Sequence, residues 1–281
     1  MYNKFRKYNK YVPEKIQEKE EIEKREEYLE STNNLEIQKL ENTVIDSTNI
    51  NKIQTLKTYI PLNIFQTWNS KQLSKDMKQS VDTIKNNNPE FKHYLFDDND
   101  CREFIKNTYL KDVLTAYDKL IPGAYKADLW RYCILYKYGG VYIDIKYKMN
   151  ENVKLIDFVD SEHWVWDGDY KGIYNGFLVC LPGNIILQRA ICEIISHTKI
   201  GYYGKNDLEP TGPKLLYRLY EEEDKQNVDM RHTHDKLKDR CVKYKEDVIL
   251  YAYENHASDM DNHSTVPHYS RLWNENKIYR K

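Results

Sequence analysis

An α/β fold with a mainly parallel central sheet is what this sequence predicts, and three observations predict it. Short apolar runs rich in β-branched and aromatic residues alternate with stretches of helical periodicity between residues 58 and 144. A glycine pair, Gly139-Gly140, ends the strongest helical stretch directly before one of those runs. That run, in "YKYGGVYIDIKYK" (136–148), closes on a lone carboxylate, Asp144, among lysines and tyrosines. Ligands of such sheets bind beyond the carboxyl ends of the strands, so Asp144 stands where a ligand is expected.

The elements follow in order. "EKIQEKEEIEKREEYLE" (14–30) is almost wholly charged. Glu20 with Lys24 and Glu21 with Arg25 are i,i+4 pairs, which predicts a solvated helix. Residues 31–56, rich in Asn and Thr, read as a linker, so 1–55 is a charged helical extension and 56–281 the globular domain. "TYIPLNIFQTW" opens that domain as a buried strand ending in Trp68. A helix follows with Met77, Val81 and Ile84 on one face, stopped by the Asn run and Pro89. "FKHYLFDD" is the second strand, "NDCREFIKNTY" a short helix with Asp100 as candidate cap, and "KDVLTAYDKL" another helix. "PGAYKADLWRYCILYKYGG" is a helix begun by Pro122, with Leu129, Cys133 and Tyr136 on its packing face. "VYI" is the next strand. This succession is that of a layered α/β architecture. Downstream, strands are predicted at "HWVWDGD", "NGFLVCLP" and "DVILYAY", and helices at "NIILQRAICEIISH" and "GPKLLYRLYEEE". The tail "VPHYSRLWNENKIYRK" is irregular but too aromatic to stay off the body.

Composition narrows the function. Lys and Arg total 43 against 44 Asp and Glu, a net charge of -1, which leaves no electrostatic footprint for nucleic acid. Five cysteines, an odd number without a C-x-x-C pair, argue for a reducing compartment and against a disulfide framework or zinc knuckle. No apolar run reaches the roughly 20 residues a membrane span needs, and "MYNKFRKYNKYVPEK" lacks the apolar core of a signal peptide. The expectation is a protein of the cytoplasm or of a host cell's cytosol.

The chemistry concentrates around Asp144. Asp128 and Arg131 are three apart on the helix that runs through the glycine pair into the Asp144 strand, so their shared face is placed to line the same cleft. Taken alone, that pair reads as a surface ion pair of little worth. Asp144 and Lys146 are two apart in an extended segment and point to one side. In "WDGDY", Asp167 and Asp169 either approach a second substrate or only form a turn. His232 and His234 lack further Cys or His partners and read as surface histidines.

"ADLWRYCILYKYGGVYIDIKY" resembles the core of the DXD sugar-binding glycosyltransferases, family 32, and more distantly the glucosylating bacterial toxins. The family reads D-x-x-R-x-x-x-L-x-x-x-G-G-x-Y-x-D-x-D. Asp128, Arg131, Leu135, Gly139, Gly140, Tyr142 and Asp144 stand at that spacing. "IPLNIFQTW", "NGFLVCLPGN", "TGP" at Thr211–Pro213 and "HYSRLW" at His268–Trp273 resemble further landmarks of the family. The strong match covers about residues 60–185.

This resemblance implies a single GT-A (Rossmann-like) domain. Its implied activity is a retaining hexosyltransferase, moving sugar from a UDP- or GDP-sugar to a glycan or protein-linked acceptor. By position, Trp68 would stack on the base, with a core tryptophan as the open alternative. Asp128 and Arg131 would bind sugar hydroxyls, Tyr142 would line the pocket, and Asp144 would contact ribose, sugar or metal. Asn175 would contact the sugar or support developing positive charge, and His268 and Trp273 would complete the donor site. The second aspartate of the DXD pair, a ligand of Mn²⁺ or Mg²⁺ in the family, is Lys146 here. Three roles are open to it. Lys146 pairs with the diphosphate in place of the metal, with Lys148, Arg271 and Lys277 adding charge. Alternatively, Asp144 with His268 still holds a metal, or the site is degenerate and only binds a nucleotide-sugar or glycan. A lone carboxylate beside an ammonium is a poor divalent site. An interaction scaffold built on the N-terminal helix is a third function class.

Overall fold

The structure, a computed structural model, describes residues 60–168, 171–220, 225, 228–234 and 240–281. The charged extension, 1–55, and Asp169 lie outside the described residues. The first half follows the predicted succession. β1 (Asn63–Thr67), α1 (Lys75–Asn87) and β2 (Lys92–Phe96) precede α2 (Asp98–Thr108), α3 (Lys111–Lys119), α4 (Gly123–Tyr138) and β3 (Gly140–Ile143). β4 (Tyr147–Met149), a 3-10 turn at Leu155–Phe158, β5 (His163–Trp166) and β6 (Ile173–Cys180) follow. α5 (Ile185–Ile200), α6 (Pro213–Leu219), β7 (Met230–His234), β8 (Arg240–Tyr244), β9 (Asp247–Ala252), α7 (His256–His263) and α8 (Tyr269–Asn274) complete the chain.

The nine strands form one sheet in the order β2-β1-β3-β6-β5-β7-β8-β9-β4. It is mixed, which corrects the expectation of a mainly parallel sheet. Parallel pairing joins β1 to β2 and β3, and β5 to β7. The pairs β3–β6, β4–β9, β5–β6, β7–β8 and β8–β9 are antiparallel. Connection length explains the change. Residues 167–172 join β5 to β6, and Lys245-Glu246 join β8 to β9. Both links are far too short for the crossover that a parallel pair needs.

Alternation along the strands feeds two cores, one on each face of the sheet. Tyr142, Leu178 and Cys180 join Leu129, Trp130, Ile191 and Leu215 under the helices. Val141, Ile143, Phe177 and Val179 join Ile84, Val242 and Leu250 on the other side. α4 is buried almost all round, from Leu129 to Leu135, as a helix apolar on every face must be. Tyr136, expected on its packing face, is only half-buried.

The glycine pair is required by space as well as by backbone. Gly139 caps α4 at φ 59°, where a Cβ would meet Pro182 at 2.6 Å, and Gly140 at φ 116° would meet the Asn63 carbonyl at 2.7 Å. The helix end, β1 and the Pro182 turn therefore meet in one place, which fixes where β3 begins. At α2, Asp97 rather than Asp100 is the cap, with Asp100 closing a reciprocal capping box. The tail, read as irregular, forms α8, and α7 precedes it. It does fold onto the body, with Ile278 fully buried and Tyr279 bridging to Leu120.

Candidate active site

α4 and the β3–β6 pair bring six of the predicted residues into one network. Asp144 leaves β3 with its backbone N–H bonded to the Gly176 carbonyl of β6 (2.8 Å), and this sets its carboxylate beside Arg131. Arg131 Nη1 donates to Asp144 Oδ1 (3.1 Å) and to the Asn175 carbonyl (2.6 Å). Its Nη2 lies 3.3 Å from Asp128 Oδ1, and its Nε donates to the Ala127 carbonyl. The Tyr142 hydroxyl donates to Asp144 Oδ1 (2.9 Å), and the guanidinium sits 4.3 Å from the centre of the Tyr142 ring. Lys146 Nζ donates to Asp144 Oδ2 at 2.7 Å. Asn175 Nδ2 donates to Asp128 Oδ1 (2.8 Å) and to the Tyr132 hydroxyl (3.0 Å), which leaves Asn175 Oδ1 as its acceptor.

Sequence reasoning missed two members. Thr211 Oγ1 donates to Asp128 Oδ2 (2.6 Å), and Tyr132 donates to the Thr211 carbonyl (2.9 Å). Tyr132 is i+4 from Asp128, a helical spacing visible in the sequence, whereas "TGP" was visible only as a landmark. The loop that brings Thr211 in is held by its carbonyls. Tyr125 donates to Asp207, Tyr279 to Tyr202, and Trp273 Nε1 to Tyr203 at 2.6 Å, while the His197 ring bonds Pro210.

The two aspartates are electrostatically opposite. Burial pushes the Asp128 carboxyl up, more than Arg131, Thr211 and Asn175 pull it down. Burial acts on Asp144 in the same direction, but Lys146 and Arg131 outweigh it and hold that carboxyl well below the ordinary range. Lys146, largely but not fully buried, is kept charged by Asp144, which raises its pKa against the opposing effect of burial. Its ammonium has three donors, of which one is committed among the described residues.

The remaining candidates lie around this network rather than in it. Thr67 and Trp68 leave the sheet at the end where Asp144 does, since Phe65 pairs in parallel with Tyr142. Trp68 is half-buried, and no described hydrogen bond or ring contact joins it to Asp144. His268 is exposed and caps α8 by accepting from the Ser270 N–H, with its ring against Tyr269. Tyr269 packs on Tyr125 and feels the charges of Asp128 and Lys146, so the tail does reach the site's edge. Trp273 is spent on the Tyr203 carbonyl. Arg271 and Lys277 both pair with Glu275, and Lys148 donates to Gln79. His232, expected at the surface, is instead largely covered, with its ring stacked on Tyr174.

Residues 74–162, which include Asp128, Arg131 and Asp144, match the family described as the glycosyltransferase sugar-binding region containing the DXD motif. Over about a third of its length the chain is thus similar to a glycosyltransferase sugar-binding region. It is 30% identical over 132 residues to inositol phosphoceramide mannosyltransferase 3 of Schizosaccharomyces pombe, covering 47% of this chain and 36% of that one. It is 38% identical over 91 residues to the initiation-specific alpha-1,6-mannosyltransferase of Candida albicans, covering 30% and 24%. The chain thus spans about a third and a quarter of these relatives' own lengths. A solved structure titled PaToxG Glycosyltransferase aligns at a TM-score of 0.44 and 17% identity, over 57% of this chain and 68% of that one.

The donor set around Asp144 suits a divalent cation poorly. Asp144 Oδ1 already accepts from Arg131 and Tyr142, and Oδ2 from an ammonium that would repel a dication. His268, the expected second ligand, is engaged at the start of α8. Among the described residues no group of three or more His, Cys, Asp or Glu is placed to hold a metal. No helix among them is long and apolar enough to cross a membrane.

Proposed function

We propose that the protein is a retaining glycosyltransferase whose sugar donor is a UDP- or GDP-hexose, and whose acceptor is a glycan or a protein-linked glycan. The names of its relatives favour mannose as the sugar. Lys146 supplies the positive charge on the leaving diphosphate. The bond from the anomeric carbon to the diphosphate oxygen breaks, the acceptor oxygen bonds that carbon, and the acceptor's proton leaves with the diphosphate.

The observation that carries this reading is the Lys146 ammonium, fixed to Asp144 at 2.7 Å with two donors to spare among the described residues. At 4 Å from a phosphate oxygen and an effective dielectric of 20, such a charge contributes about 4 kcal/mol. That is the scale on which one preorganised donor acts in a transition state. Arg131 and Tyr142 hold the Asp144 carboxylate so that it aims Lys146. Asn175 Oδ1 and the unfilled capacity of Asp128 are the groups offered to sugar hydroxyls.

The test is a panel of UDP- and GDP-sugars with release of nucleotide as the readout. Release from one donor is expected, and a protein that neither binds nor cleaves any of them would reject the reading. Binding without release would select a degenerate nucleotide-sugar-binding protein, the alternative that the lysine at this position also suits.

A further inference from the structure

Lys146 does not face the site alone. The rings of Tyr147 and Tyr174 lie 5.2 and 5.7 Å from its ammonium, within the range of cation–π attraction, and the two hydroxyls bond each other at 2.7 Å. The rings stand nearly perpendicular, at 84°, and so form two walls of a corner. Asp144 closes the third side. The packing leaves no slack: a Cβ on Gly176 would come 2.3 Å from the Tyr174 hydroxyl and 2.7 Å from Asp144 Oδ2. The phenol end of Tyr174 and the carboxylate of Asp144 therefore converge over a residue that has to be glycine.

Tyr174 is in turn held from the side away from Asp144's strand. The His232 ring lies parallel to it, 9° and 4.0 Å apart. His232 Nδ1 is 3.1 Å from Asp167 Oδ1, an oxygen that also accepts from the Gly168 N–H at 3.0 Å. That bond fixes the turn of the imidazole about its own axis, and so the plane that Tyr174 rests on. β7 carries His232 and lies next to β5, whose end carries Asp167; β5 in turn borders β6, the strand of Tyr174. The array crosses three adjacent strands and ends at the ammonium.

We infer that Asp167 and His232 are positioning residues for the Lys146 ammonium, acting through the ring of Tyr174. The inference rests on the reading of Lys146 as the cation of the donor site. A lysine head is compact, strongly hydrated and carried on four rotatable carbons. Without its walls it swings to water and no longer meets a fixed diphosphate.

Two measurements on the full chain test this, the first independent of any catalytic activity. Reductive methylation with formaldehyde and cyanoborohydride, read peptide by peptide in a mass spectrometer, reports access to Lys146. Histidine 232 truncation, H232A, is expected to speed labelling of Lys146 about tenfold, the order that a lost cation–π contact allows. H232F, which keeps a flat ring over Tyr174, returns the rate toward wild type. If H232A does not fold, D167N reads the same effect. In the second measurement H232A lowers kcat on the donor found active while KM changes little, and has no further effect in a K146M background. A purely structural role would depress both backgrounds equally. Unchanged Lys146 labelling in a folded variant, or equal losses in both backgrounds, overturns the inference. A wild-type protein that turns over no donor rejects the functional reading alone, because the labelling still reports on the walls.

Discussion

Asp128 on α4 and Asp144 beyond β3 share one guanidinium, yet their surroundings differ in kind. Asp128 is nearly closed off and takes its nearest hydrogen bonds from neutral groups, Thr211 at 2.6 Å and Asn175 at 2.8 Å. Asp144 keeps about a fifth of its side chain open and takes a second cation, Lys146. Neutral donors orient a buried carboxylate but do not repay the loss of its hydration, so its pKa rises. Two cations more than repay it. The first aspartate is built as a fixed hydrogen-bonding floor. The second is a charged rim whose ammonium commits one of its three donors among the described residues.

Removing what the two share should have the largest effect. R131A leaves one buried and one largely buried carboxylate without their common partner, and denaturant unfolding should show a loss of ~3–5 kcal/mol. R131K should not rescue it, since an ammonium cannot span both acids as the planar fork does. A stability within error of wild type would show that the network does not hold this region.

T211V acts on the Asp128 side alone. A hydroxyl donated to a charged group is worth ~1.5–3 kcal/mol, so the same unfolding experiment should show a smaller loss, with the Lys146 side unaltered. Equal damage to donor binding at Asp144 would break the distinction between floor and rim.

Acid titration sharpens it further, because the two slopes have opposite signs. Asp144 binds its proton more weakly folded than unfolded, so its stabilisation is present above the ordinary carboxylate pKa and is lost as pH falls toward its lower folded value. Asp128 binds its proton more tightly folded, so stability falls as pH rises just above that ordinary value. D144N should flatten the first slope and D128N the second, in unfolding curves taken between about pH 3 and 6. A third slope belongs to His93 on β2. Burial, with Lys85 nearby, lowers its pKa to about 4, so stability should decline as pH falls from 6.5 toward 4. H93Q should remove that decline and expose the aspartate slopes beneath it.

The rim was legible in sequence where the chain is local. Asp128, Arg131, Tyr142 and Asp144 lie within one helix, one turn and one strand, and spacing alone fixes which of them share a side. Gly139 and Gly140 were readable as a stop, although Pro182 and Asn63, which require them, were not. The partners from afar were hidden. Thr211 reaches Asp128 across 83 positions, and His232 meets Tyr174 only because β5, β6 and β7 lie side by side. β7 and β8 are short and polar enough that no apolar alternation announced them, which is why His232 read as a surface residue. The sheet's mixed pairing was likewise set by short links after Asp144, while the regular first half suggested parallel strands throughout.

The most direct measurement compares donor turnover by the wild type and by K146D, each in EDTA and in Mn²⁺. If the chain carries its own cation, the wild type keeps its rate in EDTA. K146D, with the second acid restored, is silent in EDTA and recovers with Mn²⁺. A wild type that EDTA silences and Mn²⁺ restores would contradict the account.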